Sequence, residues 1–287
     1  MRENLAGQVF LYNENCFKTM EKMADKGFKV DLVMTSPPYN TARTSKTQKS
    51  LDTYNNRYDI HLDNMTDEEY CRWSEDLFSM FDKILQKDGV ILYNISYGSE
   101  NPFVYWKFIG MIANNDTWMI ADRIIWKKNA ALPNNVGNKL TRIVEDVLVI
   151  VRKSEYKTFR TNKKVKSVRE DTGQKYYDNV YNFIEAKNND GPCKLNKATY
   201  SSDLCLSLFN IYAKPDYVIY DPFMGTGTTA IACLRYNDGN NQIVCIGSEL
   251  SAAQVEYSKD RILESFPSVK VKTKAADNAD ADNTENK

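Results

Sequence analysis

The chain has 287 residues, 42% of them hydrophobic and 12% aromatic, with a formal net charge of zero. That is enough apolar material for the core of one fairly large α/β domain, and it excludes a wholly disordered chain. No run approaches the roughly 18 apolar residues of a membrane span, and Met1-Arg2-Glu3-Asn4 opens no secretory signal, so a cytoplasmic protein is expected, or a nuclear one in a eukaryotic setting.

The first clear element is Val30-Asp31-Leu32-Val33-Met34, a buried strand that runs into Thr35-Ser36-Pro37-Pro38-Tyr39. Thr66-Asp67-Glu68-Glu69 is a capping box, and Tyr70, Trp73, Leu77, Phe81 and Leu85 then recur at helical spacing until Lys87-Asp88-Gly89 stops the helix. A strand over 90–95, a helix over 103–113 and strands over 118–126 and 144–151 follow, with the polar, proline-bearing stretch 127–138 as a loop. Tyr217-Val218-Ile219-Tyr220 reads as another strand, ending in Asp221-Pro222-Phe223-Met224-Gly225-Thr226-Gly227-Thr228-Thr229. Residues 243–247 form a last strand, and Ser251 caps a helix running to about 265. Strands alternating with helices predict a largely parallel sheet covered on both faces.

Charge is unevenly spread. Between Arg152 and Lys175, nine basic residues face only Glu155, Glu170 and Asp171, and the apolar periodicity is poor, which marks 153–196 as an inserted region. The tail from Lys274, rich in Ala, Asp and Asn, is expected to be solvated.

The six cysteines are scattered without a Cys-x-x-Cys pair and read as reduced thiols, with no metal cluster. His61 is the only histidine, a poor basis for Ser-His chemistry.

Two strings carry the chemistry. Gly225 and Gly227 at a strand end allow a tight turn and close backbone approach, and Thr228 opens a helix whose N–H groups favour a carboxylate. Neither the third glycine of a dinucleotide fingerprint nor the Gly-Lys-Ser/Thr of a phosphate loop is present. Such glycine pairs also occur as plain structural turns. Glu249, at the end of the next strand, suits the hydroxyls of a ribose or is a solvated helix-start residue. In Ser36-Pro37-Pro38-Tyr39 the prolines fix the backbone and remove two N–H donors, so the Ser36 hydroxyl and the Pro37 carbonyl can accept from a planar amino group. Tyr39 offers a face on which an extruded base can stack.

These motifs, in this order, resemble the S-adenosylmethionine-dependent DNA amino-methyltransferases in which the catalytic motif precedes the cofactor motif. The likeness covers about 9–263 and includes Ile125-Trp126-Lys127-Lys128 with Glu145, and Lys214-Pro215. It implies a Rossmann-like methyltransferase fold, with 1–152 as the catalytic half, 153–196 as a target-recognition insertion, 197–267 as the cofactor half and 268–287 as a disordered tail. S-adenosylmethionine is the implied cofactor, held by Asn15, Thr35, Thr199, Ser201, Asp221, Pro222, Phe223, Gly225, Gly227, Thr228 and Glu249, with Asp221 facing its ammonium. Ser36, Pro37, Pro38 and Tyr39 are the implied catalytic residues. Ser in the first motif position favours cytosine N4 over adenine N6.

The implied partner is double-stranded DNA, contacted by Arg43, Lys46 and Arg57 after the catalytic turn and by Arg160, Lys163, Lys164, Lys166 and Arg169 in the insertion. A homodimer and a cognate restriction endonuclease are further partners the resemblance allows; a metal and a membrane are not expected. Tyr176-Tyr177 suit either a DNA contact or the core. The chain departs from the family pattern at Glu14-Asn15, where Gly-Asp is usual, and at Asn196 to Ser201, where a His-Pro-Ala-Thr-Phe-Pro-like stretch is usual. Methylation of RNA or of a protein glutamine, and an inactive DNA-binding subunit, remain alternatives.

Overall fold

The computed structural model describes residues 2–40, 65–97, 101–196, 198–239 and 242–270. Arg43, Lys46, Arg57, His61 and the tail from Lys274 lie outside these residues.

One nine-stranded sheet organises the chain. In sequence its elements are β1 (Arg2–Leu5), β2 (Val9–Asn13), α1 (Cys16–Asp25), β3 (Val30–Thr35), α2 (Asp67–Ile84), β4 (Leu85–Ile95), α3 (Phe103–Asn114), β5 (Trp118–Lys128) and β6 (Val144–Arg152). A separate exposed ribbon follows, β7 (Val165–Val168) with β8 (Lys175–Tyr177). The sheet resumes with β9 (Phe183–Ala186), α4 (Ser202–Tyr212), β10 (Val218–Asp221), α5 (Thr228–Asn237), β11 (Val244–Glu249) and α6 (Ala252–Ser265). The spatial order is β1-β2-β11-β10-β3-β4-β6-β5-β9.

Pairing from β2 through β11, β10 and β3 to β4 is parallel. Beyond β4, however, β6 runs antiparallel to both β4 and β5, β9 then joins β5 in parallel, and at the other edge β1 is antiparallel to β2. The reason is connectivity: no helix separates β5 from β6, and strands joined without a crossover pair antiparallel. From the β10/β3 junction the chain winds outward in both directions, through α2 to β4 and through α5 to β11. Such a reversal opens a crevice at the carboxyl ends of the two central strands.

Two apolar layers sandwich the sheet. Buried Leu204, Leu208, Phe209, Ile231, Leu234 and Ile262 from α4, α5 and α6 cover one face. Met20, Tyr70, Phe78, Phe81, Phe108 and Ile112 from α1, α2 and α3 cover the other, where the Tyr93 and Phe108 rings stack at 4.8 Å. The Thr66 capping box forms as the sequence predicts, and Ser251 caps α6. Helix α4 was not anticipated; Ser201 is its N-cap. Strand β9, inside the expected insertion, pairs with β5 in the main sheet.

Arg152, at the end of β6, fastens the lower edge. Its guanidinium donates to the Asp82 carbonyl in the last turn of α2 and to the Leu85 and Gln86 carbonyls at the start of β4, and pairs with the Asp82 carboxylate at 2.6 Å, lying 5.4 Å from the Trp118 ring centroid. It satisfies carbonyls that the helix end leaves without intrahelical partners. Arg152→Met is therefore expected to destabilise the protein by about 2–4 kcal/mol, read as a lower urea midpoint with an unchanged slope.

Candidate active site

The two motif strands are neighbours despite their distance in sequence: Leu32 pairs with Ile219 and Val33 with Tyr220. Their loops leave the sheet together and line one cavity of about 320 Å³. Ser36 and Pro38 from the first string share its wall with Pro222, Phe223, Met224, Gly225, Thr226 and Thr228 from the second. Asn15, Thr199 and Glu249 also line it, so this part of the anticipated cofactor set converges.

Four anticipated cofactor residues are not on that wall. Thr35 is fully buried at the end of β3. Ser201 spends its hydroxyl on the Leu204 amide as the α4 cap. Gly227 is a packing glycine: its φ is +83°, and a Cβ there would meet Ser258 Oγ at 2.2 Å. The Asp221 carboxylate points into the protein, accepting from the Tyr200 hydroxyl (3.1 Å), the Thr229 hydroxyl (2.5 Å) and the Phe223 amide (3.0 Å). It holds together the strand end, α5 and the segment before α4.

Gly225 has the close-approach role. At φ +55° its amide donates to Glu249 Oε2 at 2.9 Å, and a Cβ would sit 3.1 Å from Asn196 Nδ2. Glu249 Oε1 accepts from the Ser251 amide at 2.8 Å, so its carboxylate is aimed before any ligand arrives.

Where the usual Pro-rich stretch is missing, hydrogen bonds shape the loop. Asn196 donates to Gln254 and accepts from the Ala198 amide, while Arg261 joins Asp190 (2.5 Å) to the Thr226 carbonyl and the Thr228 hydroxyl. At the other departure, Glu14 accepts from Thr19 and Lys22, and Asn15 caps α1 by accepting from the Phe17 amide.

The Ser36–Tyr39 turn is held by side chains from α2, β4, β5 and β6. Ser36 Oγ lies 2.9 Å from the Tyr39 hydroxyl, which donates to Glu145 Oε2 at 3.0 Å and accepts from Asn94 Nδ2 at 2.5 Å. Asn94 also donates to Glu145, Lys128 pairs with its other oxygen, and Tyr70 donates to the Pro38 carbonyl. The polarity of this chain is set at its end. Because Tyr39 gives its proton to the carboxylate, Ser36 donates to Tyr39; one Ser36 lone pair accepts from Asn94 Nδ2 at 3.4 Å and the second remains as an acceptor. Of these residues, only Glu145 and Lys128 had a sequence signal, through the Trp126-Lys127-Lys128 likeness.

The anticipated DNA-binding residues Arg160, Lys163, Lys164, Lys166 and Arg169 are exposed, and none of them lines the cavity. Asn162, at the root of this segment, bonds the Ile211 carbonyl at the far end of α4. The 11-residue helix places that end about 16 Å from the helix start next to Tyr200. Arg169 is paired with Asp171, and the Arg160 guanidinium donates to the Lys157 and Phe159 carbonyls. Tyr176 and Tyr177 are exposed, not core.

The wall fits S-adenosylmethionine, the cofactor the sequence resemblance implies. Glu249 suits ribose hydroxyls, the rings of Phe17, Trp73 and Phe223 supply apolar faces, and the start of α5 beside Thr199 favours a carboxylate. Cys16 also lines the cavity, and burial pushes its thiol up to about 12, which disfavours the thiolate. Among the described residues no group of His, Cys, Asp and Glu is arranged to hold a metal ion, and no helix is long and apolar enough to cross a membrane.

Solved structures share this architecture. The PvuII DNA methyltransferase (cytosine-N4-specific) superposes with a TM-score of 0.61 at 16% identity, covering 88% of this chain and 86% of that one. The M1.HpyAVI complex with S-adenosylmethionine gives 0.54 at 19% identity, covering 88% and 98%. The fold is thus the Rossmann-like methyltransferase fold, α/β with a mostly parallel central sheet.

A family model of the N6/N4 methyltransferases, described as DNA methylase, matches residues 30–260, and the chain belongs to that family. Among curated relatives, the type II methyltransferase M.BglII of Bacillus subtilis is 23% identical over 252 residues, 79% of this chain and 62% of that protein. The type II methyltransferase M.SmaI of Serratia marcescens is 24% identical over 282 residues, 81% and 84% of the two chains. The chain thus spans less than two thirds of the length of M.BglII.

Burial pushes the Asp221 carboxyl up to about 6, against the opposing pull of Thr229, the Phe223 amide and Tyr200. The folded state therefore holds a proton that the unfolded state has lost between about pH 4 and 6. The cost of ionising Asp221 is absent below that window, grows as pH rises through it and is complete above it. Asp221→Asn should remove this component. The stability of the variant relative to wild type, from urea unfolding at a series of pH values, is expected to rise from pH 4 to 6 and level off above.

Proposed function

We propose that the chain transfers a methyl group from S-adenosylmethionine to the exocyclic amino group of a base in double-stranded DNA, with cytosine N4 as the preferred acceptor. The observation that carries this reading is the single cavity on which Ser36 and Pro38 meet Gly225 and Glu249. An acceptor turn for an amino group and a cradle for an adenosyl cofactor open into the same space.

When bound, S-adenosylmethionine supplies an electrophilic methyl on a positively charged sulfur. The chain does the rest. Ser36, with its proton committed to Tyr39, accepts one N–H of the target amino group, and the Pro37 carbonyl accepts the other, which steers the nitrogen lone pair toward the cavity. The Tyr39 ring is the stacking face for the base, worth about 1–3 kcal/mol. The bonds from its hydroxyl to Asn94 and Glu145 keep it from turning. As the nitrogen–methyl bond forms, the sulfur–methyl bond breaks with its electron pair going to sulfur, and the methylated nitrogen then releases one proton to water. Positioning accounts for most of the acceleration, for which well-aligned reactants gain about 7–11 kcal/mol. Arg160, Lys163, Lys164, Lys166 and Arg169, with Arg43, Lys46 and Arg57, stay candidates for phosphate contact. A cytoplasmic location, a homodimer and a cognate restriction endonuclease belong to the same reading.

The test is incubation with labelled S-adenosylmethionine and unmethylated genomic DNA, digestion to nucleosides and mass spectrometry. N4-methylcytosine is expected, reduced about 10²–10³-fold by Ser36→Ala and by Tyr39→Ala. N6-methyladenine would keep the mechanism and overturn the choice of base. No methylated base, with the cofactor bound in calorimetry, would overturn DNA as the substrate. Glu145→Gln is expected to lower kcat about tenfold with little change in cofactor affinity, since it weakens the Tyr39 anchor without touching the cofactor wall; single-turnover kinetics and calorimetry separate the two.

A further inference from the structure

We propose that the loop 129–143 is the element that enters the DNA duplex and fills the gap left by the extruded base, with Leu132 and Leu140 as the apolar wedge and Lys139 and Arg142 toward the phosphates. This rests on the reading above, that the acceptor base lies in a duplex.

Position is the first argument. The loop joins β5 to β6 at the end of the sheet where the catalytic turn emerges. The residues at its root, Lys128 and Glu145, pair with each other, and Glu145 accepts from Tyr39. The exposed basic ribbon of β7 and β8, by contrast, is rooted at the far end of α4.

Surface chemistry is the second. Leu132 is 92% exposed, Leu140 89% and Val136 56%, the two leucines standing on opposite limbs. Single exposed aliphatics are ordinary, but three stand on one loop whose root, Glu145, anchors Tyr39, and each is exposed. The stretch holds no Asp or Glu and carries Lys139, Arg142 and several asparagines, which matches a polyanion with an apolar interior better than it matches another protein surface.

Shape is the third. The loop is braced rather than loose. Lys128 N–H donates to the Ile143 carbonyl at 2.8 Å, Asn134 N–H to the Thr141 hydroxyl at 3.0 Å, and Lys139 N–H to the Val136 carbonyl at 3.1 Å across the tip. Asn188 bonds Ala130 in both directions, and the Arg142 guanidinium lies 4.8 Å from the Tyr97 ring centroid. A preshaped projection presents its leucines at low entropic cost, and apolar side chains that enter a base stack repay part of the unstacking that extrusion requires.

The experiment compares the full-length protein with Leu132→Ala/Leu140→Ala on a duplex bearing the methylated site mapped by sequencing, and on the same duplex with the target base opposite a mismatch. Both side chains lie in solvent, so the fold is expected to survive, and calorimetry with S-adenosylmethionine checks it. Duplex turnover should fall about tenfold or more, the fluorescence of a 2-aminopurine beside the target should no longer rise, and the deficit should shrink on the mismatch. Equal turnover by the two proteins, or an equal deficit on both substrates, would overturn the wedge. So would a shift in oligomeric state by light scattering with extrusion intact, which would assign the patch to a second copy of the chain. If the wild-type protein methylates no duplex at all, the reading beneath the proposal fails, whatever the variant does.

Discussion

Parallel pairing of β3 with β10 is the constraint from which the rest of the molecule follows. The two strands lie far apart in the chain, yet the registry of Leu32 on Ile219 and Val33 on Tyr220 brings their terminal loops out side by side. Crossovers leave this seam in opposite directions, α2 over one face and α5 over the other, so neither of these helices roofs the gap between the loops. The cavity is a consequence of that topology. Order along the chain is immaterial to it, because a sheet records only which strands are neighbours.

Burying a carboxylate beneath this seam is the cost of holding it. Asp221 has no exposure and gathers Tyr200, Thr229 and the Phe223 amide around it, fixing the angle at which the glycine turn leaves the sheet. A fully exposed acid could not do this, since water would compete for each donor. The catalytic turn is treated in a similar way from the other side. Asn94 of β4 and Glu145 of β6 converge on the Tyr39 hydroxyl, so the antiparallel half of the sheet serves the parallel half.

The same network gives the turn its chemical sense. A serine hydroxyl can donate or accept, and an amino group needs acceptors. Ending the chain of hydrogen bonds on a carboxylate, itself paired with Lys128, orders the protons so that Ser36, which also accepts from Asn94, keeps one lone pair as an acceptor.

Sequence alone determined that the two motif strings follow strands, the capping box at Thr66, the cap at Ser251 and the α2 periodicity, because each is a local pattern whose physics is complete within a few residues. Tertiary structure decided what depends on distant partners. It made β5 and β6 antiparallel, found helix α4 in a stretch read only as pocket wall, and turned Ser201, Gly227 and Asp221 from wall residues into caps, packing and buried anchors. It recruited Asn94, which looks like any polar residue in a strand until Tyr39 is placed beside it. It also rooted the basic run around Arg160 to Arg169 at the far end of α4 and put the root of the acid-free loop 129–143 beside Tyr39. A run of charge specifies sign without specifying place, and place is set by which strands pair.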